Sequence, residues 1–335
     1  MARHYVAIRQ FPISADFRPR CGRLVLKCPT SADNRGVTAL GLGVYTTLKT
    51  VHPHGVRPFE IAVPEEHLLD LGRRLVETRW PEPATVPDWS QGVPLHDLQQ
   101  LCRYWRTEYD WRATEHRLNR WPQHLIDIDG LTIHYFHLPS PSPSAVPLLL
   151  THGWPGSFFE FEQAMERLAD SDFDLVVPSL PGYGFSGKPA AQGWGVHRIA
   201  QAWAELMQRL GYSRFIACGS DWGTSISTSL ALHYPDRLLG LHLIPPLVPL
   251  SPAGGQAPTL QERKAAQDSI DVPTGCTIFP REVPRPSRRL AERRFRNILH
   301  WGEPAHGGHF GAWEQPDLFV REVQAVRQAV TQPVS

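Results

Sequence analysis

The chain has no long apolar run. Its best stretch, GVTALGLGVYTTL, is short and broken by glycine. A membrane-crossing helix needs about 20 consecutive apolar residues, so none is expected. The first residues, MARHYVAIRQFPISADFRPRCGRL, carry charge throughout and lack the apolar centre of a secretory leader. Cysteine is scarce. The five are scattered with no CxxC pair, which excludes a disulfide framework or a zinc ribbon and fits a reducing, cytoplasmic setting. Charge of one sign is also lacking: 34 Lys and Arg against 33 Asp and Glu give +1, so no global field points to nucleic acid or an anionic membrane. No internal repeat is present. Tyrosine stops early, the last being Tyr234.

With 335 residues and 41% hydrophobic content, the chain can form one large domain plus an accessory piece. Residues 1–55 are rich in Arg, Pro and Gly without periodicity and are expected to be a poorly ordered extension. In RPFEIAVPEEHLLDLGRRLVETRWP, Ile61 and Val63 alternate like a short strand. Leu68, Leu69, Leu71 and Leu75 then recur at helical spacing up to Pro81. A second helix is expected over PLHDLQQLCRYWRTEYDW. The aromatics Trp80, Trp89, Trp105, Tyr109 and Trp111 suit an arm that packs on a neighbouring domain. Asp129-Gly130 marks a hairpin. Apolar runs at 146–151, 173–178, 214–218, 239–244, 274–279 and 296–301 alternate with helical segments, notably 195–210 and 224–233. That pattern predicts an α/β fold with a mostly parallel sheet flanked by helices.

Three segments carry chemistry. In Gly219-Ser220-Asp221-Trp222-Gly223, between a strand and a helix, the flanking glycines permit a tight turn that presents Asp221. A carboxylate there can attack an sp3 carbon and form an ester, and the following helix N-terminus favours its charge. The second is His152-Gly153-Trp154-Pro155, at the end of another buried strand. Its Trp154 N–H and the Trp222 N–H are the candidate pair of oxyanion donors, with His152 structural rather than a base. The third is HGGHFGAWEQPDLF, where a glycine-rich loop after the last expected strand presents His309. Glu282, just past an earlier strand, is the candidate acid, in the chain order nucleophile, acid, histidine.

These segments resemble the epoxide hydrolases of the α/β-hydrolase fold, specifically the microsomal and juvenile-hormone type. The resemblance covers residues 57–332 through RPFEIAVPEEHLLDLGRRL, TRWP, HGWPGSFFEF, PSLPGYGFSGKP, GSDWG, FPREVPRP and GGHFGAWEQPDLF. It implies an epoxide hydrolase N-terminal domain, a helical arm, over 56–122 and a hydrolase core over 123–332. It implies that Asp221 is the nucleophile, His309 the base that activates water and Glu282 the charge partner of His309. Trp154 and Trp222 would be the oxyanion donors. The partners implied are a small apolar epoxide and water, with no metal and no organic cofactor. Serine attack on an epoxide would leave an ether, whereas aspartate leaves an ester that activated water can cleave.

One part of the family's pattern is missing. The family inserts a helical lid after the sixth core strand, with tyrosines that hydrogen-bond the epoxide oxygen. Here residues 247–270 form a shortened connection, and no tyrosine follows Tyr234. A reduced or deleted lid is therefore expected, with weakened turnover. Two other readings stand beside this one. A haloalkane dehalogenase-like enzyme would use the same ester chemistry. A lid-deleted inactive protein would use the uncovered surface for self-association or a partner.

Overall fold

The computed structural model describes residues 55–248 and 268–331. The expected extension therefore lies almost wholly outside the described residues, as does most of the shortened connection at 247–270. The chain divides into two compact units, one over 62–115 and one that joins 55–61 to 116–331.

The smaller unit holds α1 (Glu65–Val76), α2 (Leu95–Thr107) and the start of α3 (Trp111–Leu118). α1 begins just after Pro64, with Glu65 and Glu66 in its first turn and Arg73 and Arg74 in its last, which matches the helix dipole. Neither α1 nor α2 has a fully buried residue. Arg112 ties the unit together through the Val63 carbonyl, Glu65 and Glu115. The second helix expected over 94–111 is α2, which ends four residues sooner. α2 stops at Thr107, and Asp110 then receives the Ala113 N–H to start α3.

The larger unit is built on a nine-stranded sheet in the order β1-β2-β3-β5-β4-β6-β7-β8-β9. Its strands are β1 (Val56–Phe59), β2 (Gln123–Ile128), β3 (Leu131–Leu138), β4 (Val146–Thr151), β5 (Phe173–Pro178), β6 (Phe215–Ser220), β7 (Leu238–Ile244), β8 (Thr274–Thr277) and β9 (Ile298–Gly302). β1 to β3 run antiparallel, and β4 to β9 are parallel. The hairpin turns at Asp129-Gly130, both at positive φ. Leu148, Leu149, Leu150 and Thr151 are all buried, as are Phe215 to Gly219, so the central strands are covered on both faces. α5 (Val196–Arg209) and α6 (Trp222–His233) pack together, and α6 lies on β4, β6 and β7. α4 (Glu162–Ala169) packs with α7 (Pro316–Thr331), which lies along β7, β8 and β9.

The strand expected at Ile61 and Val63 is a correction. The pairing segment lies earlier, at Val56–Phe59 against β2. The Ile61 backbone leaves the ladder because the Asn119 side chain satisfies it: the Ile61 N–H donates to Oδ1, and Nδ2 donates to the Ile61 carbonyl.

Candidate active site

β6 ends at Ser220 and α6 begins at Trp222, so Asp221 alone makes the connection. It sits at φ 51° and ψ −118°, a region that L-residues rarely adopt. The glycines around it have a steric role. A Cβ on Gly219 would stand 2.1 Å from the Gly223 carbonyl oxygen, and one on Gly223 would stand 2.0 Å from the Thr151 oxygen. The turn therefore closes against its own helix and against β4 only with glycine at both positions. Thr224 Oγ1 donates to the Gly219 carbonyl and secures the strand end.

The loop after β4 reaches the same point. The Trp154 N–H donates to Asp221 Oδ1 at 2.7 Å. Gly153 lets the loop approach, since a Cβ there would lie 2.4 Å from Asp221 Cβ and 2.5 Å from Oδ1. His152 is buried and accepts the Leu180 N–H at Nε2. Its proton is therefore on Nδ1, which donates to the Gly153 carbonyl at 3.0 Å. Burial lowers its pKa to about 4, so it is neutral. The Gly153 carbonyl and the Trp154 N–H belong to one peptide unit. By holding the carbonyl, His152 aims the N–H at Asp221. Trp222, at the first position of α6, has an N–H with no earlier helical partner, like every helix start. The Trp154 and Trp222 side chains are both exposed.

The loops after β8 and β9 bring the other two groups. His309 Nδ1 lies 2.9 Å from Glu282 Oε1, and Nε2 lies 3.8 Å from Asp221 Oδ2. The Glu282 side chain is 2% exposed and that of His309 37%, so the carboxylate acts from the dry side of the pair. The Val283 N–H also donates to Glu282 Oε1. The hydrogen bond to Glu282 raises the His309 pKa above its ordinary value, against a lowering by burial; the charges of Glu282, Asp221 and Glu160 add to the rise. Phe310 stands edge-on to the imidazole with centroids 5.0 Å apart. Trp154, Trp222, Val283, Phe310 and Trp313 form a set of exposed apolar side chains on these same loops.

Asp221, Glu282, His309 and the Trp154 N–H thus meet, although they come from four separate loops. As a set they can present a nucleophilic carboxylate, steady an oxyanion and deprotonate water. Two family models match the chain: "Epoxide hydrolase N terminus" over residues 56–161 and "alpha/beta hydrolase fold" over residues 146–269. A Stigmatella aurantiaca protein named "Putative epoxide hydrolase" is 39% identical over 370 aligned positions, covering 81% of this chain and 84% of that one. The chain belongs to the epoxide hydrolase family. Epoxide hydrolase 1 of Sus scrofa is 37% identical over 56% of this chain, and juvenile hormone epoxide hydrolase 2 of Ctenocephalides felis 36% over 56%. The matched part spans 44% and 42% of their lengths, less than half of each. The Aspergillus niger epoxide hydrolase structure superposes with a TM-score of 0.73 at 25% identity, over 83% of this chain and 97% of that one. The juvenile hormone epoxide hydrolase of Bombyx mori shares the fold, with a TM-score of 0.73 at 21% identity over 82% of this chain and 94% of that one.

Sequence reasoning passed over Glu160 and Ser220. Glu160 is buried, and Ser220 Oγ donates to its Oε1 at 3.1 Å. The available signal was a lone carboxylate among Phe158, Phe159 and Phe161.

Proposed function

We propose that this protein hydrolyses a small apolar epoxide to a vicinal diol through an ester on Asp221. The observation that carries the reading is the unequal setting of the two Asp221 oxygens. Oδ1 is held by the Trp154 N–H, and Oδ2 faces His309. Oδ2 is the oxygen free to attack. It displaces the ring oxygen from one epoxide carbon, which leaves an alkoxide that takes up a proton. In the resulting ester Oδ1 is the carbonyl oxygen and already occupies a donor site. His309 Nε2 removes a proton from water as the water oxygen attacks Cγ, and negative charge collects on Oδ1. The Cγ–Oδ2 bond then breaks, the diol leaves with Oδ2, and Asp221 keeps the oxygen of water. Glu282 holds the proton on Nδ1, so that Nε2 is the basic nitrogen, and stabilises the imidazolium.

The proposal calls on no metal or organic cofactor. The exposed apolar side chains around the site suit an apolar substrate, and they are also the surface through which the protein would self-associate. A concentration-independent monomer in light scattering would remove that last element. The three cysteines within the described residues are free, which supports a cytoplasmic setting; no helix among those residues is long and apolar enough to cross a membrane.

The reduced lid belongs to the same reading. The alignment to the Stigmatella protein has 370 positions but takes in 81% of 335 residues, about 271, so roughly 99 positions of the relative face no residue here. General acid assistance to the leaving oxygen is worth about 10²–10⁴-fold, so ring opening is the step slowed when lid tyrosines are lacking. A single turnover in ¹⁸O-water tests the mechanism. The label is expected in the peptide carrying Asp221, with unlabelled diol, and Asp221→Ala should form no diol. Label in the diol with none in Asp221 would exclude the ester.

A further inference from the structure

The site contains a third carboxyl that the mechanism above does not use. Glu160 lies in a short turn, Phe158–Phe161, between the Trp154 loop and α4. Its side chain is buried and joins both arms of the site. Oε1 accepts the Ser220 hydroxyl, one residue before the nucleophile. The Gly153 backbone, one residue before the oxyanion donor, lies close enough to favour its charged form. Oε2 fills the space left by Gly156, where a Cβ would stand 2.6 Å away.

Resting on the ester mechanism, we propose that Glu160 is a positioning residue that clamps the Trp154 loop to the nucleophile strand and supplies negative charge to His309, in part in the free enzyme and more fully once Asp221 has been esterified. The clamp follows from the Ser220 hydrogen bond on one side and the packing of Oε2 against Gly156 on the other. Gly153 and Ser220 precede the oxyanion donor and the nucleophile, so a shift of either changes the 2.7 Å contact between Trp154 N and Asp221 Oδ1.

The charge follows from what surrounds the carboxyl. Burial raises its pKa to about 7; the Ser220 hydrogen bond, the charge of His309 and the Gly153 backbone oppose the rise, and the charge of Asp221 adds to it. Cys218 on β6 is the other titratable group within reach of its charge, and it stays a neutral thiol because burial raises its pKa. In the free enzyme repulsion from the Asp221 carboxylate leaves Glu160 only partly ionised near neutral pH, so His309 receives part of its charge. An ester on Asp221 is neutral. Its formation removes that repulsion, lowers the Glu160 pKa and favours release of the Glu160 proton to solvent. The alkoxide takes up one proton in the same interval, so the site loses less than one negative charge. The new carboxylate then stabilises the imidazolium that His309 becomes as it deprotonates water. The charges that reach His309 are those of Glu282, Asp221 and Glu160.

Glu160→Gln keeps an acceptor for the Ser220 hydroxyl and removes the charge. Glu160→Ala removes both, and Ser220→Ala removes one anchor. Imidazole titration of His309 by NMR needs no turnover, so it separates this inference from the epoxide reading. In Glu160→Gln the His309 titration should move down by on the order of half a pH unit. On the high-pH plateau, single-turnover alkylation should stay within about 2-fold while ester hydrolysis slows by about 10-fold, the low end of general acid–base effects. Glu160→Ala should slow both steps, with Ser220→Ala between the two. An unmoved His309 titration in Glu160→Gln overturns the proposal. So does slowed alkylation with unchanged hydrolysis, because the charge would then serve the wrong step. A moved titration in a protein that opens no epoxide refutes the epoxide reading instead and leaves the pairing of Glu160 with His309 in place.

Discussion

Gly153→Ala is the most direct test of the oxyanion geometry. The new methyl would stand 2.4 Å from Asp221 Cβ and 2.5 Å from Oδ1, about an ångström inside contact. Asp221 has little freedom to retreat, because it is fixed between β6 and α6 by the close approach of Gly219 and Gly223. The Trp154 loop must give way, and the 2.7 Å bond from its N–H to Oδ1 is lost. Gly153 is not among the positive-φ residues, so alanine meets no backbone penalty and the whole effect is the collision. Loss of one oxyanion donor costs about 10²–10³-fold in rate, or about 2.7–4 kcal/mol of barrier. Overpacking should lower stability by about 1–3 kcal/mol, which the fold can absorb. The two chemical steps should respond differently. Attack by Oδ2 builds no charge on Oδ1, whereas ester hydrolysis does. The ester should therefore accumulate and appear by intact-mass spectrometry as an adduct of the epoxide's mass. Wild-type ester hydrolysis in a folded Gly153→Ala protein would show that Trp154 does not hold the oxyanion.

Two further substitutions probe the roles proposed for Asp221 and for the Glu282–His309 pair. Asp221→Gly and Asp221→Ala both lack the carboxylate and differ only in a Cβ at φ 51°, so the glycine protein should be about 1 kcal/mol more stable in urea unfolding despite the entropy glycine adds to the unfolded chain. A more stable alanine protein would mean the turn is unstrained. Glu282→Gln should lower the His309 pKa, shift the acid limb of ester hydrolysis to lower pH and reduce its plateau by about 10²–10⁴-fold. The sign for stability follows from the raised folded-state value. The Glu282–His309 pair stabilises the fold fully below the ordinary histidine pKa, and this contribution is lost as pH rises through the raised value. The gap in melting temperature between wild type and Glu282→Gln should therefore narrow with rising pH; a widening gap would contradict the pairing.

What could be read in the sequence was set by burial on both faces. The apolar runs expected at 146–151 and 173–178 coincide with β4 and β5 because strands in the middle of a parallel sheet need continuous apolar residues. The elbow at Asp221 was legible for a steric reason, since three close approaches of backbone and side chain each demand glycine. The short strand expected at Ile61 and Val63 failed because alternation does not say where a backbone finds its partners, and here Asn119, 58 residues away, supplies them. Glu160 was illegible for the converse reason. A carboxylate in a sequence reads as surface, and only the fold shows that the Ser220 hydroxyl and the Gly156 backbone meet it inside.

The placement of the groups also bears on the shortened connection proposed between β7 and β8. Asp221 follows β6 and Trp154 follows β4, and these are neighbouring parallel strands. Glu282 and His309 follow β8 and β9, which also pair in parallel. The two halves are joined through β7, which pairs with β6 and, from Leu241 to Leu243, with β8. The register that fixes the site is therefore set by sheet pairing and not by the length of chain between β7 and β8. A large change in that connection can leave the 2.9 Å and 3.8 Å spacings of His309 as they are. It changes instead what covers Oδ2 and what donates a proton to the ring oxygen. Selection on such a chain would act on ring opening before it acted on ester hydrolysis. The two rates, measured separately on one epoxide, should accordingly show a slow first step feeding a fast second one, with no ester detectable at steady state. Ester accumulating in the wild-type protein would mean that the hydrolytic half is the impaired one.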